Sequence, residues 1–560
     1  ASQYEEDAVQ SAGHWNNVSW ALYAQDNWRV NHRLTLNLGL RWDGAPHTYE
    51  ANQQSANFYP GLYNSANAAT FEYNPATHTY TGNICGPTSG TTLCPGGVSP
   101  GLITSPNPIL AGLQFYGNGI GIGGVGGFPK GLVNTPWKNF GPRIGFAYDL
   151  TGQGKTVLRG GFGIMFDRIQ GNDMYNGATN TPFDASPTIP TVLLSNPANP
   201  GTVVSIPTGN TISSAALPVL PVGITGVDPS NDKLPTSYQF SFGVQQQLAR
   251  STVLSVNYVG SQVRHLNDYR AINLPAITDL PTLVANKGNG LNTDPTLTYP
   301  GFGGIRMAEN EGNSHYNSLQ ADVRANLTRR LQLQFGYTFS KAIDSTTSNG
   351  SGGDLNNVTN PYQGWRYDSG PSLFDRRNIA FTNFVYQIPL FDNVDNHLLR
   401  AVAGGWSLSG IVTFESGAPV NLGVTGENAS SVLANTGNRP DVNGSISYPH
   451  KVGEWFDPSV FSKPLCATGP DCYGNTGFDA IRGPGRDDWN LSLFKSFVFS
   501  ESRGSRLEFR AETFNTWNHT QFKGDINNGG ISNNFGATNF GVVTAAFDPR
   551  EFQFGLKLFF

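Results

Sequence analysis

Apolar and polar residues alternate one by one along several segments of this chain. The alternation runs through residues 34–42, 143–150, 319–327, 331–340, 506–512 and 552–560. Successive side chains of a β-strand point to opposite faces, so each segment is predicted to be a strand with one apolar and one polar face. The helical period of 3.6 residues is absent from these segments. The pattern predicts an all-β, antiparallel protein.

A strand with one apolar face fits two kinds of protein. In an outer-membrane β-barrel the apolar face meets lipid and the polar face meets a wet interior. In a soluble β-sandwich the apolar face meets the core and the polar face meets bulk water. The alternation by itself leaves both open.

The lengths of the connections separate the two possibilities. Short connections lie at 30–33, 150–156, 248–252, 327–331, 390–400 and 499–506, and they alternate with long ones at 43–140, 168–235, 262–315, 344–376, 418–487 and 518–549. Consecutive antiparallel strands place alternate connections at opposite ends of a sheet, so all long loops share one end. Outer-membrane barrels have this asymmetry, whereas compact soluble domains seldom contain such long loops. We therefore favour a transmembrane β-barrel segment.

The number of strands determines whether the sheet can close with an antiparallel pair. Six hairpins and one final strand give about 13 strands, so the first and last strands run in the same direction. Closing them would require an exceptional parallel pair. The sequence therefore predicts an open sheet whose edges are the strands near residues 18–30 and 550–560.

Composition excludes some classes of function. The chain has 560 residues, a net charge of −5 and 13% charged residues. It contains no block of Lys and Arg, which argues against nucleic acid as a partner. No segment approaches the roughly 18 consecutive apolar residues that a transmembrane helix needs.

The four cysteines form two close pairs, and both pairs lie in long loops. They are Cys85 with Cys94 and Cys466 with Cys472. Neither pair has further Cys or His at the spacing of a metal site, and neither is a Cys-x-x-Cys. We predict local disulfides formed in an oxidising compartment, although the sequence leaves the connectivity open.

Sequence motifs for catalysis or cofactor binding are weak. Residues 121–126 match G-x-G-x-x-G literally but lead into Gly-Phe-Pro and not into a helix, so we interpret them as a flexible glycine loop. Residues 154–156 read Gly-Lys-Thr within a predicted tight turn. There is no H-E-x-x-H and no G-x-S-x-G. We therefore expect no enzyme activity, no cofactor, no metal and no catalytic residues.

Charged residues recur on the predicted polar faces. Arg506, Glu508, Arg510 and Glu512 alternate in sign along one strand. They could guide a substrate or dock another segment, or they could form cross-strand ion pairs that hold the wall together. We favour the cross-strand ladder, because alternating signs neutralise each other locally.

Four segments resemble strand and turn signatures of TonB-dependent receptors. They are the hairpin at 19–41 (SWALYAQDNWRV, then RLTLNLGLR), NFGPRIGFA at 139–147, RGPGRDDWNLS at 482–492 and EFRAETFNTWNHT at 508–520. Together they are similar to the Oar-like branch, whose members carry a carboxypeptidase-regulatory-like domain. The resemblance implies uptake of an unidentified substrate across the outer membrane of a Gram-negative-type bacterium, powered by the TonB complex.

The resemblance also implies an orientation and partners. The carboxy-terminus would lie in the periplasm and the long loops outside the cell. The final strand would carry an outer-membrane assembly signal read by the barrel-assembly machinery, and lipid would surround the wall. That signal comprises Phe552, Phe554, Leu556, Leu558 and Phe560.

The chain departs from the family in what precedes its first strand. We see no leader peptide, TonB-contacting box or plug-like segment there. We therefore expect residues 1–17 to be the tail of an extracellular loop. Residues 18–560 would be the last part of a 22-stranded barrel, with contacts to TonB made by a missing amino-terminal part. An alternative is a surface adhesion or interaction protein that uses the barrel as a mount for its loops.

Overall fold

One large sheet of fifteen strands organises the molecule, and thirteen of them, paired in chain order, form its wall. The computed structural model describes residues 3–5, 13–68, 71–74, 79–84, 118–169, 171–180, 183, 188–190, 222–230, 233–288, 291, 296–345, 357–391, 394–426, 428–433, 438–500, 505–524 and 530–560. The wall strands are β1 (Trp20–Arg29), β2 (Leu34–Gly44), β3 (Phe140–Asp149), β4 (Thr156–Phe166), β5 (Thr236–Ala249), β6 (Thr252–Ala271), β7 (Phe302–Thr328), β8 (Leu331–Asp344), β9 (Asn378–Gln387), β10 (Trp406–Glu415), β11 (Arg486–Ser500), β12 (Ser505–Phe514) and β13 (Glu551–Phe559).

Each wall strand pairs with the next one along the chain, and every such pair is antiparallel. Within the described residues, β1 and β13 are not paired with each other and form the two edges. The predicted strand number, antiparallel order and open sheet are therefore confirmed.

The alternation of residue types sets which side chains share a face. Leu38 stands opposite Ile144 across the β2–β3 ladder, while Asn37 stands opposite Gly145. A shift of one residue would exchange the two faces, so the apolar pattern also fixes the register. The same parity continues to β13, where Phe554 is 71% exposed on the apolar face. Most of the apolar face of the wall is thus exposed.

Short turns and long loops alternate as predicted, and each kind lies at its own end of the sheet. The turn at 150–155 shows how a short one is held. The Asp149 carboxylate accepts hydrogen bonds from the backbone N–H groups of Thr151, Gly152 and Gly154. Gly152 and Gly154 have φ of 71° and 72°, in the left-handed region that glycine adopts at little cost. The Gly-Lys-Thr segment is accordingly a tight turn.

Two strands are longer than the sequence predicts. β6 has 20 residues and β7 has 27, so the loop predicted at 262–315 spans only 272–301. The added part of β7 also pairs in parallel with Val222–Val227. Buried polar residues such as Glu309 and Asn310 lie in this extension and interrupt the apolar alternation. The alternation of apolar and polar residues therefore could not predict this extension.

The long loops contain short elements of their own. The α-helices are α1 (Gly171–Tyr175), α2 (Leu280–Ala285), α3 (His397–Ala403) and α4 (Ala429–Val432), of which α3 lies in the connection between β9 and β10. The 3-10 helices are Pro60–Leu62, Ser65–Asn67, Asn176–Thr179, Ile277–Asp279, Gly364–Arg366, Pro458–Val460 and Pro470–Cys472. No helix among the residues that the structure describes is long and apolar enough to cross a membrane.

The remaining strands are short and lie outside the wall. They are Gln3–Glu5, Trp15–Asn16, Tyr49–Glu50, Ala56–Phe58, Phe71–Asn74, Thr79–Ile84, Ile120–Ile122, Thr188–Pro190, Val222–Val227, Gly370–Pro371, Pro419–Val420, Gly423–Val424, Asp441–Val442, Phe461–Ser462, Ile481–Arg482 and Asn534–Phe535. Ile120–Ile122 pairs with Ala56–Phe58 and is buried. The glycine segment at 121–126 therefore begins as a packed strand, and its interpretation as a wholly flexible loop was wrong.

The long loops pack against one another to form a loop cap, which we define as the described residues of 45–139, 167–235, 272–301, 345–377, 416–485 and 515–550. Its largest apolar cluster joins the last two of these loops and contains Val420, Leu422, Trp455, Phe456, Phe461, Ile481, Ile531 and Val543. Two smaller clusters centre on Met174 and on Leu280. Burial of these side chains stabilises the cap apart from the wall.

Candidate functional site

The polar face of the wall contains two broad depressions. The first has a volume of about 660 Å³ and extends across β1 to β6. Its polar lining comprises Gln25, Asn37, Arg143, Gln239, Ser241 and Ser261. Backbone atoms form much of its floor, because four lining positions are glycine: Gly39, Gly145, Gly161 and Gly163. A single depression touching six consecutive strands means that the sheet curves toward its polar face.

The second depression, of about 920 Å³, lies nearer the short turns and extends from β6 to β12. Arg324, Gln334 and Glu512 contribute polar groups to its lining. Val385 and Ile411 contribute apolar side chains on the same face, and both are exposed. This surface can contact a solute or polypeptide through both hydrogen bonds and apolar contacts.

Ion pairs on the polar face join residues two apart in one strand. Arg510 Nε lies 2.6 Å from Glu508 Oε1, and Arg324 Nε lies 3.1 Å from Asp322 Oδ1. Residues i and i+2 point to the same face, and the long arginine side chain spans the distance between them. The cross-strand ladder expected from the sequence is therefore wrong for these pairs. They hold each charge close to its own strand and leave the centre of the depressions open.

A buried ionic site lies beside the loop cap, where β6 and β7 pair beyond their regular part. Arg270 donates to Glu309 from Nε at 2.8 Å and from Nη2 at 2.6 Å, a two-bond arrangement that is stronger than a single contact. Tyr269 donates its hydroxyl to Asp173 Oδ1 at 2.5 Å. These contacts fix the loop that contains α1 to the extended strands.

A second ionic site joins two loops of the cap to the end of β8. The Asp375 carboxylate contacts Arg482 Nη2 at 2.5 Å and accepts from the backbone N–H of Ala342 at 2.7 Å. Asp479 lies nearby, 1% exposed, with both carboxylate oxygens lacking a hydrogen-bond partner. Burial, together with the neighbouring carboxylate of Asp344, raises the pKa of Asp479 to about 8. This side chain is thus held largely neutral at pH 7.

Among the described residues, no group of three or more His, Cys, Asp or Glu side chains is placed to hold a metal ion. Asp368 and Asp375 of the cap are paired with arginines, while Asp479 is buried without a hydrogen-bond partner. The cap is therefore a packed surface crossed by ion pairs.

Comparison with known proteins identifies the class of this wall. A family model described as an outer membrane beta barrel domain matches residues 1–553. The chain belongs to this outer-membrane β-barrel family. No curated protein sequence matches it significantly. Membership places the chain in the outer membrane, with its apolar face against lipid.

Several solved structures resemble the barrel chain. The outer membrane transporter YddB from Escherichia coli is 11% identical, over 97% of this chain and 54% of that one, with a TM-score of 0.43. The ferric-catecholate import receptor Fiu from E. coli is 13% identical, over 96% and 44%, with a TM-score of 0.38. The FrpB iron transporter from Neisseria meningitidis is 8% identical, over 97% and 46%, with a TM-score of 0.39. The chain spans about half the length of these structures.

The residues singled out in the sequence occupy separate places in the barrel chain. Cys466 and Cys472 are joined in the loop cap, with sulfur atoms 1.99 Å apart. Cys85 and Cys94 lie outside the described residues. The apolar residues of the last strand are exposed on the lipid-facing side of β13 and at the terminus: Phe552, Phe554, Leu556, Leu558 and Phe560. Of these groups, those within the described residues lie away from the polar depressions.

Sequence reasoning missed the residues that form the ionic sites of the cap. Arg439, Asp368, Asp375 and Asp479 come from loops in which no periodic pattern exists. Their burial depends on contacts between distant loops.

Proposed function

We propose that this chain forms the carboxy-terminal part of the barrel of an outer-membrane TonB-dependent transporter of the Oar-like branch. Its polar face lines the route of an unidentified substrate, and it performs no enzymatic reaction. The loop cap faces the outside of the cell and the carboxy-terminus faces the periplasm. Residues 1–17 are then the tail of an extracellular loop, and residues 18–560 belong to the barrel.

The observation that carries the proposal is the combination of a curved polar face and a packed loop cap at one end of the same wall. The two depressions together extend over β1 to β12. The loops above them are held by three apolar clusters and by buried ion pairs, which makes a surface able to present fixed contacts. Such an arrangement suits capture at the cap followed by passage along the polar face.

The proposal includes partners that this chain would not contact alone. Energy would come from the TonB complex through residues upstream of the wall, and a plug would occupy the polar face between transport cycles. The last strand would be recognised by the barrel-assembly machinery through its apolar residues. The two free edges, β1 and β13, would pair with strands contributed by the remainder of a 22-stranded barrel.

Accessibility of the polar face provides a test that needs no knowledge of the substrate. Gln239→Cys places a thiol on the wall of the first depression, where Gln239 is exposed. The full protein is expressed in cells with and without functional TonB and exposed to a membrane-impermeant maleimide. We expect several-fold faster labelling when TonB is functional, because movement of the plug opens the polar face.

Lys451→Cys is the matched control, since Lys451 is exposed in the cap and its labelling should not depend on TonB. The wild-type protein gives the background. Equal rates for Gln239→Cys in the two strains would contradict TonB-driven transport and favour a barrel that only mounts its loops.

A further inference from the structure

A lysine occupies the lipid-facing side of the wall near the short turns. In the register of the sheet, Lys495 of β11 stands opposite Trp406 of β10 on one side and Phe509 of β12 on the other. All three therefore share the apolar face. A charged group on the lipid-facing side of such barrels costs up to about 2–4 kcal/mol, depending on depth. Lys495 is nevertheless only 4% exposed, so the protein itself covers it.

The covering element is α3. Lys495 Nζ donates to the carbonyl oxygen of Val402 at 3.1 Å and also to that of Gly404. The last carbonyl groups of a helix lack partners within the helix and carry partial negative charge, so they suit an ammonium group. The same nitrogen lies 5.7 Å from the ring centre of Trp406 and 4.9 Å from that of Phe497. These contacts fix the end of α3 against the outside of the wall.

The opposite side of α3 exposes apolar side chains. Leu398 is 77% exposed and Val402 is 61% exposed, and residues four apart lie on one face of a helix. Leu390 and Phe391, which precede the helix in the same connection, are also exposed. Asn396 begins the helix by accepting from the backbone N–H groups of Leu398 and Leu399. The apolar patch is thus built on an ordered, capped helix.

We propose that the connection at 388–405 is an interfacial anchor whose apolar patch inserts among the phospholipid acyl chains of the leaflet at the short-turn end. Trp406 connects the patch to the lipid-facing side of β10 and β11. The acyl chains that cover this side of the wall therefore cover the patch as well. This continuity favours lipid over a protein partner as the occupant of the patch. Burial of an amphipathic helix in this way adds to the hold of the barrel on its leaflet.

Fluorescence in lipid tests the proposal. Leu398→Cys is labelled with an environment-sensitive nitrobenzoxadiazole dye in the full protein, reconstituted in nanodiscs of phosphatidylethanolamine and phosphatidylglycerol. We expect a blue-shifted emission and at least a twofold quenching by lipids that carry a nitroxide on the acyl chain. Val402→Cys, on the same face, should behave alike and serves if the first variant does not assemble.

Two control variants define the emission expected in water and in lipid. Gln153→Cys, in an exposed short turn, should emit as in water, and Leu40→Cys, on the apolar face of β2, should emit as in lipid. Aqueous emission from positions 398 and 402 beside a lipid signal from position 40 would overturn the anchor. A blue shift that appears only after addition of cell extract, and that the nitroxide lipids do not quench, would overturn it in favour of a protein partner.

Discussion

Arg439 and Asp368 form an ion pair of 2.8 Å in which both side chains are almost completely buried. The guanidinium also lies 3.8 Å above the ring of Tyr367 and donates to the carbonyl oxygen of that residue. Two loops that are far apart in sequence are therefore held by one arginine. Removing a single partner of such a pair leaves the other charge buried without compensation.

We expect Arg439→Met to destabilise the loop cap by about 3–5 kcal/mol, the usual cost of breaking a buried ion pair from one side. The measurement is thermal unfolding of the full protein, followed by tryptophan fluorescence. Arg366→Met is the control, because Arg366 is exposed beside Trp365 and its loss should cost less than about 1 kcal/mol. Similar losses for both variants would show that the buried pair has no special role.

The raised pKa of Asp479 predicts a dependence of stability on pH. The unfolded carboxyl ionises near pH 4, while the folded one keeps its proton until the pH approaches about 8. Between these values the unfolded state binds fewer protons, so stability should fall as the pH rises and then level off above pH 8. Asp479→Asn should remove this decline, with little effect at pH 4. A wild-type melting temperature that rises from pH 5 to pH 8 relative to the variant would contradict the prediction.

The two faces of the wall predict opposite responses to the same substitution. Leu38 faces lipid and Asn37 faces the polar side of β2. A charge near the middle of the bilayer costs about 2–4 kcal/mol in such barrels, so Leu38→Arg should lower the amount of assembled protein in the outer membrane. Asn37→Arg should be tolerated. The check is the yield of protein in purified outer membranes, and equal yields would reject the assignment of the faces.

Local disulfides are predicted for both cysteine pairs. Cys466 and Cys472 are separated by six positions and are joined in the structure, whereas the pairing of Cys85 with Cys94 is an expectation from sequence. Peptide mapping without reductant should recover two bridged peptides, one from each loop. Free thiols, or a bridge from one loop to the other, would disprove this connectivity.

The wall could be predicted from the sequence because its physics is local. In β2 and β13 the alternation of apolar and polar residues predicts the strand itself. The same alternation determines its register and shows which face meets lipid. The number of strands and the free edges followed from counting such segments. The rule failed at the outer parts of β6 and β7, where buried polar residues such as Glu309 are satisfied by partners from other segments.

The candidate site was harder to predict, since its contacts join distant parts of the chain. Asp375 meets Arg482 across more than one hundred residues, and neither sits in a periodic segment. The position of Lys495 shows a similar limit. Its neighbours across the sheet are Trp406 and Phe509, and only the structure shows that the end of α3 supplies its hydrogen-bond acceptors.

The length of β7 has a consequence for how the loop cap is built. A strand of 27 residues has a contour of about 90 Å at roughly 3.3 Å per residue, whereas crossing the bilayer takes about 9–11 residues. In the proposed orientation, the remainder extends beyond the bilayer and runs inside the loop cap, where Phe302, Ile305 and Met307 are buried. The cap is therefore built around a strand that continues without a break into the membrane wall.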